Sequence, residues 1–192
     1  LAQHDLSDVE IRQIRTVQPA SRRRLTLAAL DRPQGTPWLG FNARASHQIV
    51  DVASCPVARP ELIRLLPLLR LTLTPWIRAA RTLDLSLTLT DAGVDLLVTG
   101  GEPDRQARET AALMLKEPSI ARLSWRPTER ATPETVLMVR QPVVSFDGVP
   151  VALPPGAFLQ PTAEGEKILA EVVGQALTGT EGRLADLFAG CG

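Results

Sequence analysis

The run Leu184-Ala185-Asp186-Leu187-Phe188-Ala189-Gly190-Cys191-Gly192 constrains this chain most. Apolar residues with little alternation mark a strand buried on both faces, as in parallel sheets. Glycines close the run in a turn, where the missing Cβ allows unusual dihedrals and lets a ligand approach the backbone. Asp186 sets a carboxylate inside the expected strand, which covers 183–188. The dinucleotide fingerprint needs G-x-G-x-x-G and more chain than follows here. An ordinary exit from strand to loop also fits the pattern, so the motif alone leaves two readings open.

Upstream, the periodicity changes to that of antiparallel structure. The first 20 residues read as the tail of a helix or linker and an extended piece. Arg22-Arg23-Arg24-Leu25-Thr26-Leu27-Ala28 alternates as a strand, Trp38 to Phe41 is its hairpin partner, and His47 to Val52 is a third strand. Pro60 to Arg81 is expected to be one helix on the spacing of Leu62, Leu65, Leu66 and Leu69, with Pro67 and Pro75 able to kink it. Leu83–Thr90 and Gly93–Thr99 alternate around an Asp91-Ala92-Gly93 turn. A helix over Asp104–Lys116 follows, capped by Asp104, then strands at 120–125, 134–139 and 142–147. Thr162–Leu177 reads as a helix with Glu164 and Glu166 in its first turn. The expected fold class is therefore α+β, an antiparallel-sheet domain with helices over 1–154, followed over 155–192 by the first helix and strand of an incomplete Rossmann-like domain.

Composition narrows the function classes. The 21 basic and 21 acidic residues give no net charge, which argues against a dedicated non-specific nucleic-acid binder. Aromatic residues are 4% of the chain, too few for a broad base-stacking platform. Two cysteines far apart, Cys55 and Cys191, do not make a disulfide framework. No apolar run is long enough to span a bilayer, and no signal pattern opens the chain, so a cytoplasmic location and no membrane partner are expected.

Two segments together carry a family resemblance. Gly156-Ala157-Phe158-Leu159-Gln160-Pro161-Thr162, a helix, and then the D-L-x-x-G-x-G run resemble the entry to the catalytic domain of RNA uracil-5-methyltransferases. Ser21-Arg22-Arg23-Arg24, Gly40-Phe41 and the stretch Ile49-Val50-Asp51-Val52-Ala53-Ser54-Cys55-Pro56 resemble the central domain of the same family, in its iron–sulfur branch. The resemblance implies S-adenosylmethionine as methyl donor, contacted by Gln160, Phe188, Gly190 and Gly192. It implies that Cys55 is the last of four thiolates holding a four-iron four-sulfur cluster, the other three lying upstream of Leu1. The cluster is therefore expected in the parent protein and not on this chain.

The family chemistry implied is addition of a cysteine thiolate to C6 of uracil, methylation at C5, and removal of the C5 proton by a general base. A base in folded RNA must be turned out of its stack first. No residue here matches the nucleophile or the base, so no catalytic residue is assigned and the chain alone is expected to be inactive. RNA, ribosomal RNA foremost, is the implied partner. Arg22 and Arg24, on one face of their strand, are candidate phosphate contacts, while a solvated strand edge protected by charge is the competing reading. The alternatives for the whole are a non-catalytic RNA-positioning module and a methyltransferase with another substrate.

Overall fold

The computed structural model describes residues 14–46, 48–179, 181–187 and 190–191. His47 and the expected helix tail or linker over the first 13 residues lie outside them. Strands β1 (Arg24–Leu30), β2 (Trp38–Asn42) and β3 (Ile49–Asp51) form the expected meander. Helices α1 (Pro60–Arg64) and α2 (Leu66–Ala80) follow. Next come β4 (Thr82–Thr90), β5 (Gly93–Gly100), α3 (Arg105–Ala111) with a 3-10 turn over Ala112–Lys116, β6 (Ile120–Arg126) and β7 (Glu134–Met138). The seven strands make one sheet in the order β3-β2-β1-β4-β5-β6-β7. All neighbours are antiparallel except β5 and β6, which run parallel and are joined through α3.

Alternation decides which face is covered. Leu25, Leu27 and Ala29 of β1, Leu83, Leu85 and Leu87 of β4, and Val94, Leu96 and Val98 of β5 are all buried. They share one core with Leu62, Leu69, Leu73, Trp76 and Ile77 of the helices and with Ala107 and Ala111 of α3. The opposite face carries Arg24, Thr26, Ser86, Thr88, Asp95, Thr99, Arg122, Ser124 and Arg126, because the period of a strand is two.

The single helix expected over 60–81 is two. The chain breaks at Leu65, and Pro67 enters the first turn of α2, where its missing N–H breaks no helical bond. Pro75 stays inside α2. There the packing of Trp76 and Ile77 at 0% exposure outweighs the lost bond to residue 71.

A second hairpin, β8 (Val143–Phe146) and β9 (Val149–Ala152), forms a two-stranded sheet. Only its first strand was expected. Asp147 and Gly148 turn with φ of 48° and 83°, the left-handed pair of a tight hairpin loop. The hairpin is tied to the β4–β5 turn, since the Ser145 N–H and hydroxyl both donate to the Asp91 carboxylate, at 2.9 and 3.0 Å.

The final helix α4 (Ala163–Leu177) is capped by Thr162, whose hydroxyl accepts from the Gly165 N–H at 3.0 Å. None of its residues is buried. Its stability thus leans on the cap and on Glu164 and Glu166 at the positive end of its dipole. Thr162→Ala is expected to cost about 1 kcal/mol, read as roughly fivefold faster amide exchange over the first turns of α4. Exchange unchanged there would contradict the cap.

The strand expected over 183–188 is not formed at 183–187. A parallel strand takes its hydrogen bonds from strands remote in sequence, so its local apolar pattern alone does not form it. Leu184 and Leu187 are 72% and 83% exposed. No helix among the described residues is long and apolar enough to cross a membrane.

Candidate functional site

The Arg22-Arg23-Arg24 triplet is where the main sheet meets the segment leading to α4. The Arg23 N–H donates to the Pro161 carbonyl at 2.7 Å and its Nε to the Gln160 carbonyl at 3.1 Å. Its guanidinium pairs with Glu166 at 2.6 Å, with both side chains largely buried. Arg24 donates to the Leu159 carbonyl at 3.1 Å and lies 5.2 Å from the centre of the Phe158 ring. Arg22 is exposed, and its Nε donates back to the Arg24 carbonyl. Charge-assisted bonds of this kind are short and directional, so Arg23 and Arg24 fix the path of residues 158–166. Sequence reasoning missed Arg23. Alternation tells which face a strand residue occupies and says nothing of a partner about 140 residues away.

Gln160 sits half-buried at this junction. Its backbone carbonyl is held by Arg23, and its side-chain amide has no hydrogen bond among the described residues. Cys191 packs against a small cluster of Val144, Leu153 and Leu159. That contact sets the Gly190-Cys191 turn against a cluster that includes Leu159, the residue preceding Gln160. Gly190 in that turn has φ of 67°, a conformation that favours glycine. Phe188 and Gly192 lie outside the described residues. Of the four residues implied for the methyl donor, Gln160 and Gly190 are described, and each is the sequence neighbour of a residue of the small cluster, Leu159 and Cys191.

Cys55 is half-buried against the main core. Cys191, the other cysteine, belongs to the separate small cluster. Among the described residues no three of His, Cys, Asp and Glu converge as a metal site. The two cysteines of this chain do not by themselves fit a four-thiolate cluster.

The polar face of the sheet holds a second constellation that sequence reasoning did not single out. Arg122 makes a bidentate pair with Asp95, both bonds 2.8 Å, and donates a third bond to the Leu153 carbonyl at 2.9 Å. Arg126 donates to the Thr99 hydroxyl and the Glu129 carbonyl. The segment after β9 crosses this face closely. Gly156 has φ of 73°, and a Cβ there would lie 2.8 Å from Leu97. Arg122 and Arg126 four apart in β6 and the lone Asp95 in the largely apolar β5 were the available signal.

No protein-family model matches the chain. Curated relatives do. An uncharacterized RNA methyltransferase of Brucella melitensis is 38% identical over 188 residues, 97% of this chain and 43% of that protein. The corresponding protein of Mesorhizobium japonicum is 36% identical over 186 residues, with 96% and 43% covered. The chain is homologous to bacterial RNA methyltransferases. A more distant relative is the 23S rRNA (uracil-1939-C5)-methyltransferase of Chromohalobacter salexigens, 32% identical over 191 residues, 90% of this chain and 38% of that one. The chain spans less than half the length of these relatives. Among solved structures, the Pyrococcus abyssi tRNA (uracil-54, C5)-methyltransferase in complex with S-adenosyl-L-homocysteine has a TM-score of 0.56. At 17% identity over 85% of this chain and 42% of that one, it shows a shared fold.

Proposed function

We propose that this chain is part of an S-adenosylmethionine-dependent RNA methyltransferase acting at C5 of a uridine, with ribosomal RNA as substrate. Residues 1–154 form the domain that positions RNA, with Arg22 and Arg24 among its phosphate contacts. Residues 155–192 open an incomplete Rossmann-like donor domain. The observation that carries the reading is the packing of Cys191, next to Gly190, on the cluster that contains Leu159, next to Gln160, in a chain whose relatives are named RNA methyltransferases.

In this arrangement Arg23 holds the Gln160 backbone and leaves its amide free to bond a ligand. Gly190 has no side chain and holds a positive φ, so its backbone is open to close approach by a ligand. Phe188 and Gly192 are the other donor contacts that the family resemblance implies. Bound there, S-adenosylmethionine supplies the electrophilic methyl group. The nucleophile and general base belong to parts of the protein outside this chain, so the chain alone is inactive.

Titrating S-adenosylhomocysteine into the full-length protein tests the donor site. We expect binding that Gln160→Ala weakens about tenfold, the equivalent of one hydrogen bond of about 1.4 kcal/mol. We also expect this chain alone to bind weakly. No binding by the full-length protein would overturn the donor reading.

A further inference from the structure

The sheet face turned away from α1–α3 contains a small cationic cleft. Pairing register sets Arg24, Thr88, Asp95 and Arg122 in one cross-strand row. Ser86, Leu97 and Ser124 form the next row, and Asp84, Thr99 and Arg126 the third. The segment after β9 roofs part of these rows. It leaves a cleft of about 60 Å³ lined by Arg24, Ser86, Thr88, Asp95, Arg126 and Gly156.

The charge in this cleft is unbalanced. The Asp95 carboxylate is already matched by both donors of Arg122. Arg24 bonds a carbonyl and lies over a ring, and Arg126 bonds a hydroxyl and a carbonyl. Neither has a carboxylate partner among the described residues, although each guanidinium carries five donors. Burial, with Arg22 nearby, holds the Arg24 guanidinium below its ordinary pKa, as expected for a cation lacking a counter-ion. Asp84 stands at the far row and does not line the cleft.

The hydroxyls are also underused. Thr88 is 8% exposed, and its hydroxyl has no partner among the described residues. The Ser86 hydroxyl meets only that of Thr26, at 3.4 Å. Both hydroxyls line the cleft and are open to a bound acceptor. The volume corresponds to roughly four waters. That admits a tetrahedral oxyanion and excludes a base. A larger crevice of about 330 Å³, lined by Arg23, Arg59, Glu61 and Asp91, offers no such excess. There Arg23 is paired with Glu166 and Arg59 with Glu61.

We propose that the cleft between Arg24, Arg126, Ser86 and Thr88 binds a phosphate group, and that in the whole protein this is a phosphodiester of RNA lying across the sheet. The choice of RNA as the source rests on the methyltransferase reading. The phosphate site stands on the geometry.

The test uses the full-length protein and two probes. One is inorganic phosphate, followed by broadening of its ³¹P resonance. The other is an end-labelled uridine decamer without terminal phosphates, followed by fluorescence anisotropy over a range of salt. Arg126→Gln is expected to weaken the decamer about tenfold and to lower the salt slope by about one. Thr88→Val, which keeps the shape, is expected to weaken it about threefold. Both variants abolish the phosphate broadening and keep the wild-type thermal midpoint. Arg105→Gln, a charge loss on α3 away from the cleft, changes neither readout.

Wild-type behaviour of Arg126→Gln and Thr88→Val with both probes overturns the site. An equal loss in Arg105→Gln also overturns it, since that reports net charge alone. Phosphate broadening that depends on Arg126, with decamer binding that does not, overturns RNA as the source. No decamer binding by the wild type, with phosphate broadening intact, contradicts the RNA reading and leaves the phosphate site supported.

Discussion

Replacing Asp95 by Ala is expected to destabilise the chain by about 3–5 kcal/mol, measured as the shift in urea unfolding free energy. Asp95 and Arg122 side chains are 6% and 4% exposed, so removing the carboxylate strands a guanidinium with only the Leu153 carbonyl. The large effect comes from the unpaired charge, and it should fall sharply when the charge is removed too. Asp95→Leu combined with Arg122→Leu is expected to recover most of the loss, because two apolar side chains fit a buried site about as well as an ion pair. A single variant as stable as the wild type, or a double variant no better than the single, would contradict a dry pair at this position. The pair also has structural reach. Arg122 ties β5 and β6 to the segment leading toward Gln160, so its loss loosens the far side of the same junction that Arg23 holds.

Trp76→Ala is the second large effect, at about 3–5 kcal/mol. Trp76 is fully buried between α2 and the sheet, and its indole N–H donates to the Gly101 carbonyl at 2.5 Å. Trp76→Phe separates the contributions. It keeps most of the packing and loses the hydrogen bond, with an expected cost of about 1–2 kcal/mol. Thermal or urea midpoints of the two variants decide it, and equal losses would place the stabilisation in the hydrogen bond alone. Against a typical total of about 5–15 kcal/mol, either alanine variant brings the chain close to unfolding.

Much of the scaffold was legible in the sequence because it is local. The alternation of Leu83, Leu85 and Leu87 and the Asp91-Ala92-Gly93 turn specify a hairpin without reference to the rest of the chain. Asp104 and Thr162 announce two helix starts through caps three residues from their donors. The Asp147-Gly148 hairpin had an equally local signal, which Pro150 obscured, because proline is uncommon in strands. The parallel pairing of β5 with β6 could not be read this way, since it depends on a crossover through α3.

The candidate site was legible as residue types and less so as geometry. Gln160 and Gly190 stand out by motif, but the packing of the neighbouring Cys191 on the cluster of Val144, Leu153 and Leu159 joins segments of no shared period. Leu184 and Leu187 show the reverse case. Their apolar character marks a strand, and 183–187 still forms none, because a parallel strand depends on pairing remote in sequence that a local pattern does not encode. Arg23 and Arg24 lie in a basic run whose Arg22 and Arg24 are the expected RNA contacts. The structure gives Arg23 a carboxylate and gives Arg24 a carbonyl and a ring, while Arg126 and Thr88 complete a cationic cleft with Arg24 that no spacing rule reveals.

The most direct test of the proposed function is nucleoside analysis of RNA after reaction. The full-length protein is incubated with ribosomal RNA and S-adenosylmethionine labelled in its methyl group, and the RNA is digested to nucleosides. The account predicts label in 5-methyluridine, with none transferred by this chain alone. Label in another nucleoside, in protein or in a small molecule would contradict it.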